Sequence, residues 1–72
     1  MYSLTHRLDE LKASRKLLQK QIAEGAGIPL RTYQRYENGE REPSASTLVA
    51  LSDFFNVSTD YLVGLSNNPK RF

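Results

Sequence analysis

Between Ala26 and Leu30 the chain reads Gly27-Ile28-Pro29, and this break constrains the fold more than any other feature. A glycine that tolerates the left-handed backbone region ends one helix; a proline two residues on opens the next, because the N–H it lacks would be unpaired there anyway. The flanking segments are short and helical in pattern. Gln19 to Ala26 carries Ile22, Ala23 and Ala26 on a narrow apolar face, whose small residues imply close helix contact. From Pro29 to about Glu37 another helix is expected, ended by Asn38-Gly39, two residues that accept positive φ. Two short helices joined by a turn of about three or four residues with a glycine form the helix-turn-helix unit.

The remaining punctuation frames this pair. Leu4, Leu8 and Leu11 make one stripe of a first helix from about Leu4 to Ser14, with Ser3 as its N-cap. Pro43-Ser44 opens a fourth helix carrying Leu48, Leu51 and Phe55, and Asn56 stands where a C-terminal glycine is usual. Ser58 caps a short fifth helix with Tyr61 and Leu62, which stops at Gly64. No alternating strand pattern or internal repeat interrupts the series. The fold class expected is all-α, five helices in one domain over residues 1–65, followed by a polar tail or the start of a linker over 66–72.

A chain of 72 residues has one modest core, and without cysteine it has neither disulfides nor thiolate metal sites. The function classes narrow accordingly. An enzyme needs clustered nucleophiles, bases or metal ligands, and the sequence holds one histidine, His6, and no glycine-rich phosphate loop. No enzymatic activity, cofactor or metal is expected, and the absence of a long apolar run points to a soluble, cytoplasmic chain. Net charge is only +2, yet it is unevenly placed. Arg7, Lys12, Arg15, Lys16, Lys20, Arg31, Arg35 and Arg41 outnumber the acids up to residue 41, whereas residues 42–65 hold Glu42, Asp53 and Asp60 with no base. The positive field thus belongs to the first three helices, the third of which sets Tyr33 and Tyr36 on one side and Arg31, Gln34 and Arg35 on another.

At this point the residues themselves carry a resemblance. Leu17-Leu18-Gln19-Lys20-Gln21-Ile22-Ala23, Gly27-Ile28 and Tyr36-Glu37-Asn38-Gly39-Glu40-Arg41-Glu42-Pro43-Ser44 stand at matching intervals, joined by Thr47-Leu48 and by Val57-Ser58-Thr59-Asp60-Tyr61-Leu62-Val63-Gly64. Over about residues 4 to 65 the chain resembles the lambda-repressor-like, Cro/C1-type (XRE) family. The resemblance implies a five-helix lambda-repressor-like bundle whose third helix enters the major groove while the second lies across the backbone. It also implies a bacterial or phage-type transcriptional regulator, with repression the expected role.

Site residues follow position by position from the resemblance. Gln19 matches the glutamine that opens the second helix, where side chain and helix N-terminus contact phosphate. Leu30, Arg31, Gln34 and Arg35 match the outward recognition positions. Arginine pairs with guanine O6 and N7, glutamine with adenine N6 and N7, and leucine lies against a thymine methyl. Asn38 and Gly39 match the loop whose amides meet phosphate; Lys20 and Arg41, with Arg15 and Lys16, are further phosphate neighbours. Glu37 matches a glutamate that pairs with a basic residue late in the first helix, here Lys12, as a positioning salt bridge. Tyr33 and Tyr36 match positions facing the bundle, so both are expected buried with paired hydroxyls. The family's usual partner is a palindromic operator bound by a homodimer, for which Leu65 and Phe72 offer apolar surface.

Two positions depart from the family pattern. Leu18 stands where Ser or Thr usually caps the second helix, leaving that N-terminus to Gln19 or to phosphate, and Pro29 replaces another hydroxyl residue. Gly25, inside the second helix, costs about 1 kcal/mol relative to alanine. The rival reading is a protein-interaction module of the same fold, such as an antitoxin or adaptor; an outward helix without basic or amide residues would favour it. Arg31, Gln34 and Arg35 speak against that.

Overall fold

A computed structural model describes residues 4–70, so Ser3 and Phe72 lie outside the described residues. Five helices follow one another: α1 (Leu4–Ser14), α2 (Gln19–Ala26), α3 (Leu30–Glu37), α4 (Ala45–Phe55) and α5 (Thr59–Leu62). No strand occurs among the described residues, and no helix there is long and apolar enough to cross a membrane. α2 packs between α3 and α4, while α1 closes the bundle against α3 and α5.

All five helices end alike. In each, an N–H beyond the helix bonds back five residues to a carbonyl in the last turn: Leu17 to Lys12, Ile28 to Ala23, Glu40 to Arg35, Val57 to Ser52 and Leu65 to Asp60. This closure needs a left-handed residue immediately before the donor. Lys16, Gly27, Gly39, Asn56 and Gly64 supply it, with φ of 54°, 71°, 75°, 57° and 85°. Asn38, expected to share positive φ with Gly39, is right-handed at φ −84°, so the glycine alone turns the chain. The proline also sits one residue earlier than expected: Pro29 is the N-cap of α3 at φ −58°, ψ 139°, and the helix begins at Leu30. Serine caps open α4 and α5, where Ser44 Oγ accepts from Thr47 N at 3.3 Å and Ser58 Oγ from Tyr61 N at 3.0 Å.

The core gathers one face of every helix. Leu4, Leu8 and Leu11 of α1, Ile22 and Ala23 of α2, Tyr33 and Tyr36 of α3, Leu51 and Phe55 of α4, then Val57 and Leu62, are all buried. Burying such a side chain is worth about 1.5–3 kcal/mol. Gly25 repays its helix cost through packing, because the ring of Phe54 lies where its β-carbon would be. Arg7 locks α1 to the C-terminal part of the domain. Its Nε donates to Tyr61 O at 2.8 Å and its guanidinium lies 3.8 Å from the centre of the Tyr61 ring. Beyond α5 the backbone stays close, with Ser66 O accepting from Arg7 at 3.2 Å and Pro69 O from Ser58 N at 3.1 Å.

Candidate nucleic-acid interface

α3 has eight residues and two stripes of opposite character. Tyr33, Tyr36 and Glu37 recur at three and four residues and are buried. Leu30, Arg31, Gln34 and Arg35 form the other stripe: the two arginines are exposed, Leu30 is 41% exposed and Gln34 is half-buried. An α-helix presenting such a row of side chains fits the width of the major groove.

The N-terminus of α2 flanks this stripe. Leu18, 68% exposed, has no side-chain acceptor to cap the helix; Gln21 compensates in part, its Oε1 accepting from Leu18 N at 2.7 Å. Gln19, expected to serve that terminus, turns the other way. Its Nε2 donates to Glu37 Oε1 at 2.8 Å, and its Oε1 accepts from Gln34 Nε2 at 3.1 Å. Leu17, Leu18, Gln19, Lys20 and Leu30 line one open depression between the two helix starts.

Glu37 is the hub of this arrangement. Lys12 Nζ lies 2.9 Å from the same Oε1, and the glutamate side chain is only 6% exposed. Burial pushes the Glu37 pKa up, but the Tyr33 hydroxyl, Gln19 and Lys12 together outweigh it, and the net shift is downward. Tyr33 moves the opposite way: burial, then the neighbouring Glu37 carboxylate, raises its pKa well above that of a free phenol. The hydrogen bond expected for the Tyr33 hydroxyl is not completed. Tyr33 Oη and Glu37 Oε2 are both buried without a hydrogen-bond partner of normal geometry.

The basic residues divide into two groups. Arg7 and Lys12 are tied within the fold, and so is Arg15, expected beside phosphate: its guanidinium donates to Phe55 O and lies 5.6 Å from the Phe55 ring centre. The reason is local, since the last carbonyls of α4 need donors and attract positive charge. Lys16, Lys20, Arg31, Arg35 and Arg41 are exposed and form no ion pair among the described residues. Lys20, Arg31 and Arg35 belong to α2 and α3; Arg41 follows the exposed Asn38-Gly39 turn, where Asn38 Nδ2 donates to Glu40 Oε2 at 3.4 Å.

Sequence reading missed three contributors: Gln21 as a cap, Arg7 as the clamp on Tyr61, and Lys16 as a left-handed C-cap. Gln21 had a legible signal, a glutamine three residues after the N-cap. Arg7 and Lys16 had none, because one depends on a partner 54 residues away and the other is a residue type rarely found at positive φ.

Such a pair of helices, with a basic and amide-bearing stripe turned outward, defines a helix-turn-helix domain. The chain matches the family described as Helix-turn-helix over residues 8–62 and belongs to it, in the Cro/C1-type (XRE) branch with lambda-repressor-like structural neighbours. It is similar to the HTH-type transcriptional regulator ImmR of Bacillus subtilis, 39% identical over 69 residues, which are 96% of this chain and 54% of that protein. It is also similar to the CTXphi transcriptional repressor RstR of Vibrio cholerae, 34% identical over 85% of this chain and 54% of the relative. The chain thus spans about half the length of the curated relatives it matches. Among solved structures, a transcriptional regulator from Listeria innocua superposes with a TM-score of 0.80 at 34% identity, covering 89% of this chain and 60% of the other. The P22 c2 repressor, crystallised with a synthetic operator, gives 0.79 at 25% identity over 88% and 96% of the two chains.

Proposed function

We propose that this chain is the DNA-binding unit of a cytoplasmic transcriptional regulator, a repressor of the kind found in bacteria and phages. It reads double-stranded DNA by placing α3 in the major groove. The observation that carries this is the outward stripe of α3, whose Arg31 and Arg35 have no acidic partner among the described residues while the opposite stripe is sealed in the core. Arg31 and Arg35 read guanine, Gln34 reads adenine and Leu30 lies on a thymine methyl. Lys20, Asn38, Gly39 and Arg41, with Gln19 through its backbone N–H, hold the phosphates on either side, where the amides at the start of α2 lack a side-chain cap. Lys12 and Glu37 keep α3 in place. The longest dimension of the domain is 28 Å, shorter than the ~34 Å between half-sites on one face of DNA. One copy therefore covers one half-site, and a homodimer covers a palindromic operator.

Selection of binding sites from a random duplex library tests this. The expected product is a palindrome whose half-sites contain guanine, with centres about 34–36 Å apart or a multiple of that. If no sequence is enriched and no duplex is bound in dilute buffer, the proposal fails.

A further inference from the structure

Glu37 touches no outward surface, yet its chemistry dictates how two amides are oriented. An ionised carboxylate can only accept hydrogen bonds. Glu37 Oε1 takes one from Lys12 Nζ at 2.9 Å and one from Gln19 Nε2 at 2.8 Å, in a site where the glutamate side chain is 6% exposed. The Gln19 amide cannot turn over without setting its carbonyl oxygen against the carboxylate. Its Oε1 must therefore face Gln34, and it accepts from Gln34 Nε2 at 3.1 Å. One N–H of Gln34 is thereby used inside the protein. What Gln34 has left is one carbonyl and one N–H.

We infer that Glu37, through Gln19, fixes the polarity of the Gln34 amide and so makes Gln34 select adenine over guanine. This rests on the reading of α3 as the recognition helix. An adenine edge offers one donor, N6, and one acceptor, N7, which match the remaining carbonyl and N–H. A guanine edge offers two acceptors, O6 and N7, and needs two donors. With one N–H committed to Gln19, Gln34 would set its carbonyl against a guanine oxygen or nitrogen. Were the relay reversed, both Gln34 hydrogens would be free and guanine would be accepted. Glu37 is in this sense a positioning residue, acting on the base through two side chains.

The experiment compares site selection by the wild-type chain, Gln34→Ala, Gln19→Ala and Glu37→Gln, followed by competition between duplexes that differ only by adenine or guanine. Gln34→Ala marks the operator position that Gln34 reads. The wild-type protein is expected to prefer adenine there by about tenfold or more. Glu37→Gln, whose own amide can donate to Gln19 and let the relay reverse, should reduce that preference to about twofold or less, as should Gln19→Ala. The guanine preferences assigned to Arg31 and Arg35 should survive in both. Gln19 is only half-buried, so its alanine variant keeps the test valid if Glu37→Gln does not fold. An undiminished adenine preference in the variants would overturn the inference, as would an even loss at every position or a base other than adenine at the Gln34 position. A wild-type chain that selects no site at all would instead overturn the reading of α3.

Discussion

The ring of Phe54 on α4 occupies the volume that a β-carbon on Gly25 of α2 would fill. Helix propensity alone favours alanine at position 25 by about 1 kcal/mol. The packing reverses the sign. Gly25→Ala is expected to destabilise the domain by about 1–3 kcal/mol, the usual cost of overfilling a packed contact, as read from urea or thermal melts. A melt at or above the wild-type midpoint would show that Phe54 swings aside freely.

Lys16 offers the opposite opportunity. It closes α1 at φ 54°, in the conformation that glycine adopts at three of the other four helix ends. Lys16→Gly should stabilise the fold by about 1 kcal/mol, while Lys16→Ala should give no gain. Equal melting of the two variants would place the effect in the side chain and not in the backbone.

Acid and alkaline limits follow from Glu37 and Tyr33. The Glu37 pKa is lowered in the fold, so between that value and the unfolded one, about 4.3, the unfolded chain binds more protons. Its contribution is full above that range and is lost as pH falls through it; Glu37→Gln should flatten this limb and lower stability at neutral pH. Tyr33 is the mirror case. Its pKa is raised, so its contribution is full below about 10 and declines as pH climbs from there towards the folded value. Denaturant midpoints measured against pH for wild type, Glu37→Gln and Tyr33→Phe check both signs; Tyr33→Phe should shed the alkaline loss.

Arg7 combines a hydrogen bond to Tyr61 O, another to Ser66 O and a stacked contact with the Tyr61 ring. A lysine keeps the charge but not the planar fork. Arg7→Lys should therefore cost about 1 kcal/mol in unfolding free energy, and chymotrypsin should cut sooner after Tyr61. Unchanged stability would assign the contact no more weight than an ordinary surface ion pair.

The two kinds of basic residue at the interface should separate in binding assays. Alanine at Arg31 or Arg35 should relax sequence preference at one operator position by about 1–3 kcal/mol. Lys20→Ala should weaken all duplexes alike and reduce the salt dependence by about one counterion. Equal losses on specific and random duplexes for the arginine variants would place those side chains on phosphate.

Helix existence and order were legible along the chain because caps and apolar spacing are local. Ser44, Ser58, Gly27 and Asn56 mark ends within a few residues of the backbone groups they satisfy, and Leu4, Leu8 and Leu11 share a face by helical geometry alone. The outward stripe of α3 was legible for the same reason. Local pattern placed Pro29 one residue too far into the helix, since N-cap and first turn both suit its fixed φ.

Side-chain commitments across the bundle had to wait for the tertiary structure. Whether Arg15 stays in solvent or covers the end of α4, why α2 keeps a glycine, and which way the amides of Gln19 and Gln34 point all depend on partners 15 to 40 residues away. Hydrogen bonds and close packing act over a few ångströms in space, and separation along the chain carries no record of them. Five helices and the outward face of α3 follow from local pattern along the chain; the packing of those helices sets which of their polar groups remain available to a partner.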